Sequence, residues 1–284
     1  MIHLAPLISP MGLPIALTSA LVVTILAGCT GLHRNERVAL IIGNSSYSHS
    51  ASLKNPVHDA SAISQAFNRL GFKVIEGRDL SRSAMDSQVQ DFRQRLEKAE
   101  IAVLFYAGHG LQINHTNFLV PVDFNSQEEG ELASRLFELD TVLSDMTQRA
   151  RVSLVFLDAC RDNPFKGDLT AKLSGGRSLA VDQMRGVRVV GEGLAEVKGR
   201  IGTLIAYATQ PGNFAADGTG TNSPFTAALL KHLEDPGLEV RELLMQVRNS
   251  VVQETNGSQI PWDHSSLVEN VYLKKKHRPP SPPP

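Results

Sequence analysis

Short runs in which almost every residue is apolar alternate along the chain with stretches in which apolar residues recur every three or four positions. Arg37 to Gly43 is the first run, continuous and closed by glycine, the pattern of a strand buried on both faces. Pro56 to Leu70 then carries Val57, Ile63, Ala66, Phe67 and Leu70 at helical spacing, with Gly71 as its stop. The pattern predicts a second strand at Phe72–Glu76, a polar amphipathic helix at Ser81–Glu100 and a third strand at Ile101–Ala107. A short apolar segment at Phe118–Val122 precedes a helix over Leu136–Arg149 and a fourth strand at Val152–Leu157. Gly202–Ala208 reads as a fifth strand, and Ser223–Leu233 and Val240–Val252 as two more helices. Apolar strands alternating with helices imply an α/β fold with a parallel sheet covered on both faces.

The two ends depart from this rhythm. From Met1 to Cys29 there is no Lys, Arg, Asp or Glu, and Leu21–Leu26 is an apolar core, the composition of an export signal. Leu26-Ala27-Gly28-Cys29 resembles a bacterial lipobox. That resemblance implies removal of residues 1–28 and lipidation of Cys29, giving an exported protein held at the bacterial envelope. Thr30, which is not aspartate, implies the outer membrane and its periplasmic face. A plain signal peptide or a single membrane anchor is the alternative. Residues 29–36 then form a linker, 37–273 one domain of ordinary size, and 274–284 a basic and proline-rich tail. Within the domain, residues 162–200 are glycine-rich with few periodic apolar positions and read as a long mobile loop.

The 284 residues are 42% hydrophobic and 20% charged with a formal net charge of -1, which suits a folded globular protein and points to no nucleic-acid partner. The chain has two cysteines. With Cys29 committed to lipid, Cys160 has no disulfide partner, so a lone thiol in an exported protein needs another explanation.

Ligands of open parallel sheets bind where loops leave the carboxyl ends of strands. His109 stands just past the predicted third strand and Cys160 just past the fourth. If these strands are neighbours, imidazole and thiol emerge side by side, and a paired histidine holds a cysteine as the nucleophilic thiolate. Gly108 is expected to let the chain turn sharply. Gly110 is expected to let a substrate carbonyl approach its backbone N–H, which with the N–H of Cys160 would form an oxyanion hole. His58, His115, His232 and His264 show no ligand spacing with cysteine or acids, so no zinc site is indicated.

Tyr106-Ala107-Gly108-His109-Gly110, with Asp158-Ala159-Cys160-Arg161-Asp162-Asn163-Pro164 placing its cysteine 51 residues after the histidine, resembles the caspase-like cysteine peptidases. This is the clan CD group, peptidase family C14, of caspases, paracaspases, metacaspases and bacterial homologues. The similarity runs from about Arg37 to Leu273 and includes Ala206–Thr209 and Asn222–Phe225. It implies a three-layer α/β/α sandwich with a mostly parallel sheet, and a cysteine endopeptidase in which His109 and Cys160 act through a thioester acyl-enzyme. In caspases the cysteine lies in Gln-Ala-Cys-Arg-Gly, about 50 residues after the histidine, and the glutamine two before it helps accept aspartate in the S1 pocket. Here that position is Asp158, whose charge would repel an acidic P1 residue and attract Arg or Lys. Metacaspases and paracaspases carry a pocket aspartate at a place similar to Asp59, and two carboxylates favour the planar guanidinium of Arg.

Each residue also has a plainer reading. Asp59 could answer a helix dipole in a first turn, and Asp158 could accept hydrogen bonds from nearby loop N–H groups. The dyad chemistry implies no cofactor; by resemblance to metacaspases, Asp162 and Asp168 make a weak case for calcium. The expected partners are a protein or peptide substrate with a basic P1 residue and the membrane, through the lipid. Basic residues in 162–200, among them Lys166, Arg177, Arg188 and Arg200, would make that loop a self-cleavage site. Two other functions stay open on sequence: a catalytically silent scaffold or binding module, and another clan CD cysteine hydrolase, such as a transpeptidase or a gingipain- or legumain-type peptidase.

Overall fold

The computed structural model describes residues 36–113, 116–127, 132–160, 200–210 and 215–276, with Cys160 described by its backbone alone. The predicted signal and Cys29, Asp162 and Asp168, the loop 162–199 and the tail from 277 onward lie outside the described residues. The elements are β1 (Glu36–Gly43), α1 (Pro56–Arg69), β2 (Lys73–Arg78), α2 (Arg82–Arg95), β3 (Ala99–Ile113) and β4 (Thr116–Leu119). They continue with α3 (Leu132–Arg135), β5 (Phe137–Glu138), α4 (Leu139–Arg149), β6 (Val152–Cys160), β7 (Thr203–Tyr207), α5 (Pro224–His232), α6 (Val240–Glu254) and β8 (Trp262–Ser265).

The main sheet has the order β2-β1-β3-β6-β7-β8, parallel except for β8, which runs antiparallel to β7 at the edge. Alternation along each strand sends side chains to opposite faces, and both faces are apolar. Ala39, Ile41, Val103, Phe105, Leu154 and Phe156 pack with α1, α5 and α6 in one cluster. Val38, Leu40, Ile42, Leu104 and Val155 pack with α2 and α4 in the other. At roughly 1.5–3 kcal/mol for each fully buried aliphatic or aromatic side chain, these two layers are the main stabilising term. The expected three-layer α/β/α sandwich is therefore the observed one.

The end of α1 follows from Gly71, which adopts φ +80°. Gly71 N–H donates to Asn68 O and Phe72 N–H to Phe67 O, both at 3.0 Å, while the Phe67 and Phe72 rings meet edge to face at 4.9 Å. This satisfies the last carbonyls of the helix and adds an apolar contact across its end.

Four boundaries differ from the sequence pattern, each through pairing that local propensity does not encode. The helix predicted to Glu100 ends at Arg95 with a short 3-10 turn at Leu96–Lys98, because Ala99 pairs with Glu36 of β1. The helix predicted from Leu136 begins at Leu139, because Phe137 and Glu138 pair with β4. β8 was not predicted: its Trp-Asp-His-Ser sequence is polar and partly exposed, as edge strands often are. The fourth difference lies at the candidate site, where β3 runs on through His109 to Ile113 without the sharp turn expected at Gly108. Its parallel partners end at Ala107 on the β1 side and at His109 on the β6 side, and its last four residues pair antiparallel with β4.

Candidate active site

β3 and β6 are neighbours, and their register sets the backbone of His109 directly opposite that of Cys160. Gly110 follows on β3, opposite Leu119 of β4. Gly108 has φ +151°, and a Cβ there would lie 2.7 Å from the hydroxyls of both Tyr47 and Tyr106. Its glycine thus serves close packing by two phenols in a strand that does not turn.

The His109 side chain is buried, with 5% of the residue exposed. Nε2 lies 2.9 Å from the carbonyl oxygen of Ala51. A carbonyl only accepts, so Nε2 carries the proton in the neutral ring and Nδ1 the lone pair. Burial pushes the imidazole pKa below its ordinary value, opposed by the Ala51 hydrogen bond and by the charge of Asp217. A ring with this tautomer is set to take a proton at Nδ1.

Asp59 and Asp158 come together in one small pocket, beside Gly108 and walled by Leu53, Pro56 and Ala215. Asp59 lies in the first turn of α1, where an acid suits the helix dipole, and is 1% exposed. Asp158 follows Leu154 and Phe156 on the β6 face that packs against α1 and α5. Ser223 bridges the two carboxylates: its N–H donates to Asp59 Oδ1 at 3.1 Å and its hydroxyl donates to Asp158 Oδ2. Asn222 Nδ2 also donates to Asp59 Oδ1 at 2.8 Å, and the Thr226 hydroxyl to Asp158 Oδ2 at 2.6 Å. Asp158 thus accepts two hydroxyl hydrogen bonds, where the plainer reading of it had loop N–H groups as donors. Burial raises both carboxyl pKa values, and the charge of Asp158 raises that of Asp59 further. Among the described residues no cation pairs with either carboxylate, so the pair favours holding a proton that a guanidinium or ammonium would displace.

A third carboxylate, Asp217, lines the same pocket. It accepts the backbone N–H groups of Lys54 (2.6 Å) and Asn55 (3.1 Å), just before α1, and so braces the segment that carries the Ala51 carbonyl. Sequence reasoning gave no site role to Ala51, Asp217 or Thr226, nor to Asn222 and Ser223, which it singled out only within the family resemblance. A backbone carbonyl leaves no side-chain signature. Ser223 did have one, since a serine followed by proline at the start of an apolar helix is a capping pattern, and its hydroxyl accepts the Thr226 N–H at 3.0 Å. Among the described residues, no group of three or more His, Cys, Asp or Glu side chains could hold a metal ion.

A family model described as the caspase domain matches residues 36–272. Among curated proteins, human (Homo sapiens) mucosa-associated lymphoid tissue lymphoma translocation protein 1 is 33% identical over 127 residues, 44% of this chain and 15% of that protein. Its mouse (Mus musculus) homolog is 34% identical over the same length and shares. The chain therefore matches only a small part of these relatives' length. Among solved structures, caspase-1 from Spodoptera frugiperda superposes with a TM-score of 0.60 at 20% identity, covering 87% of this chain and 95% of that one. At that identity the likeness is one of fold.

Proposed function

Because the chain belongs to the caspase-domain family of cysteine peptidases, whose substrates are proteins, we propose that it is an endopeptidase cutting after Arg, and less well after Lys, through Cys160 and His109. His109 Nδ1 takes the Cys160 proton, and the thiolate attacks the scissile carbonyl carbon. The C–N bond then breaks, the amine leaves with the proton from His109, and the acyl group stays on sulfur as a thioester. Water, deprotonated by His109, hydrolyses the thioester and restores the thiol. The N–H groups of Gly110 and Cys160 stabilise the oxyanion in both steps. This chemistry needs no cofactor.

The observation that carries the specificity is the pairing of Asp59 and Asp158 across Ser223 in a pocket that Gly108 also lines. A P1 guanidinium entering there meets two carboxylates and releases the proton they hold, whereas a P1 carboxylate would add a further negative charge. The same preference would direct self-cleavage to basic residues of 162–200. Lipidation at Cys29 would hold the enzyme at the envelope, most simply at the periplasmic face of the outer membrane.

The test is hydrolysis of two matched fluorogenic peptides, Arg or Asp at P1, by the purified protein and its Cys160→Ala and His109→Ala variants, with and without calcium. The expected result is turnover of the Arg peptide alone, lost in both variants. Equal turnover of the Asp peptide would overturn the pocket assignment, and activity surviving in Cys160→Ala would overturn the nucleophile.

A further inference from the structure

The ring of His109 is held by Ala51, but its position also depends on the peptide units on either side, and two tyrosines reach them. The His109 backbone N–H donates to the Tyr47 hydroxyl at 2.8 Å. The Tyr106 hydroxyl donates to the His109 carbonyl at 2.7 Å. The two hydroxyls converge on Gly108, each 2.7 Å from where a Cβ would stand, so one phenol holds the His109 N–H and the other its C=O. In the body of a sheet these two backbone groups bond to neighbouring strands. Past Ala107, where β1 has ended at Gly43, the Tyr47 hydroxyl takes the His109 N–H, while the Tyr106 hydroxyl shares the His109 carbonyl with the Val120 N–H, which donates to it at 3.1 Å.

Tyr47 does more than accept one hydrogen bond. Its ring packs against the imidazole with centroids 4.5 Å apart and planes inclined at 42°. The residue is 6% exposed and sits in a small cluster with Leu111, Phe118, Val120 and Phe124, so its own rotamer is fixed by packing. Gly108 belongs to the same arrangement, because a Cβ there would collide with both hydroxyls. One phenol therefore fixes the backbone beneath the imidazole and shields one side of the ring from water.

We propose that Tyr47, seconded by Tyr106, is a positioning residue for the catalytic base: its hydroxyl sets where the His109 backbone stands and its ring covers the imidazole. The proposal rests on the reading of His109 as that base. It gives Tyr106 and Gly108 of the Tyr-Ala-Gly-His-Gly segment a common purpose, and it adds a residue 62 positions upstream of the histidine.

The test compares Tyr47→Phe, Tyr47→Ala and Tyr106→Phe with the parent protein, measuring kcat and KM on the Arg-P1 peptide, the pH profile of kcat, which reports the complex with the pocket already occupied, and thermal melting. Tyr47→Phe keeps the ring and loses the acceptor. It should lower kcat about tenfold or more, with KM within about twofold, because small misplacement of a catalytic group costs rate before it costs binding. Its acid limb should stay in place. Tyr47→Ala also opens the imidazole to water, so its acid limb should move to higher pH as the His109 pKa returns toward its ordinary value. Tyr106→Phe should lower kcat less than Tyr47→Phe, because the Val120 N–H still holds the His109 carbonyl. A Tyr47→Phe protein with parental kcat would overturn the proposal. So would a loss of rate that merely tracks the fraction unfolded at the assay temperature. Turnover surviving in His109→Ala would instead overturn the dyad itself and the positioning role of Tyr47 with it, which separates that failure from a failure of the Tyr47 role alone.

Discussion

Burial moves His109 and Asp59 in opposite directions, because it disfavours the charged form of each. His109 stays a neutral base to lower pH than a free imidazole, while Asp59 is pushed up to about 8 and Asp158 to about 6. Two consequences follow for Asp59. Binding of a basic P1 residue needs the ionised pocket, so kcat/KM for the Arg peptide should rise between about pH 6 and pH 8, and Asp59→Asn should raise KM and remove the upper part of that rise. For stability the sign reverses. A carboxyl whose folded pKa lies above its unfolded value of about 4 stabilises the fold at low pH and loses that contribution as pH climbs to its folded pKa. Asp59→Asn should therefore melt higher than the parent at pH 8.5 and nearly the same at pH 4, a trade of stability for function. Differential scanning fluorimetry across pH 4 to 9 reads this directly.

At the scale of elements, two short segments bring remote groups together. Ser223 caps α5 and touches both pocket aspartates. Ser223→Ala removes a cap that contributes about 1 kcal/mol and leaves Asp158 one donor poorer. The expected outcome is a lower urea midpoint together with a raised KM for the Arg peptide. Asp217 binds the N–H groups of Lys54 and Asn55, and so braces the Ala51 carbonyl against His109. Asp217→Ala should lower kcat several-fold, and Asp217→Asn, which keeps an acceptor oxygen, should retain more of it in steady-state kinetics. These elements were legible in part. The strong periods located α1, α5, α6 and the five parallel strands to within a few residues. β8, β5 and the last six residues of β3 escaped, because their strand character comes from pairing partners.

For the molecule as a whole, the sheet separates two apolar layers that face different helices, so a core truncation is felt throughout one layer. Phe156, 1% exposed between α1 and the strand face, should cost about 3–5 kcal/mol on truncation to alanine. Denaturant unfolding should show a lower midpoint with an unchanged slope. At this scale belongs also the proposal for the N-terminus: expressed in a bacterial host, the full chain should incorporate labelled palmitate and sediment with membranes, and Cys29→Ser should lose both.

The order of strands and helices, the two-faced burial of the sheet, and the placing of a histidine and a cysteine just past the apolar runs of the third and fourth parallel strands were all determined by the sequence. They follow from local periodicity and from a rule of sheet topology, both of which act over short spans of chain. Only the tertiary structure decided which groups surround the candidate site. The Ala51 carbonyl meets a ring 58 residues away, Asn222 meets a carboxylate 163 residues away, and Tyr47 meets a backbone N–H 62 residues away. Contacts of that range arise when packed layers bring loops to one edge of the sheet, and the groups they join, a carbonyl, an amide and a phenol, carry no periodic mark in the chain.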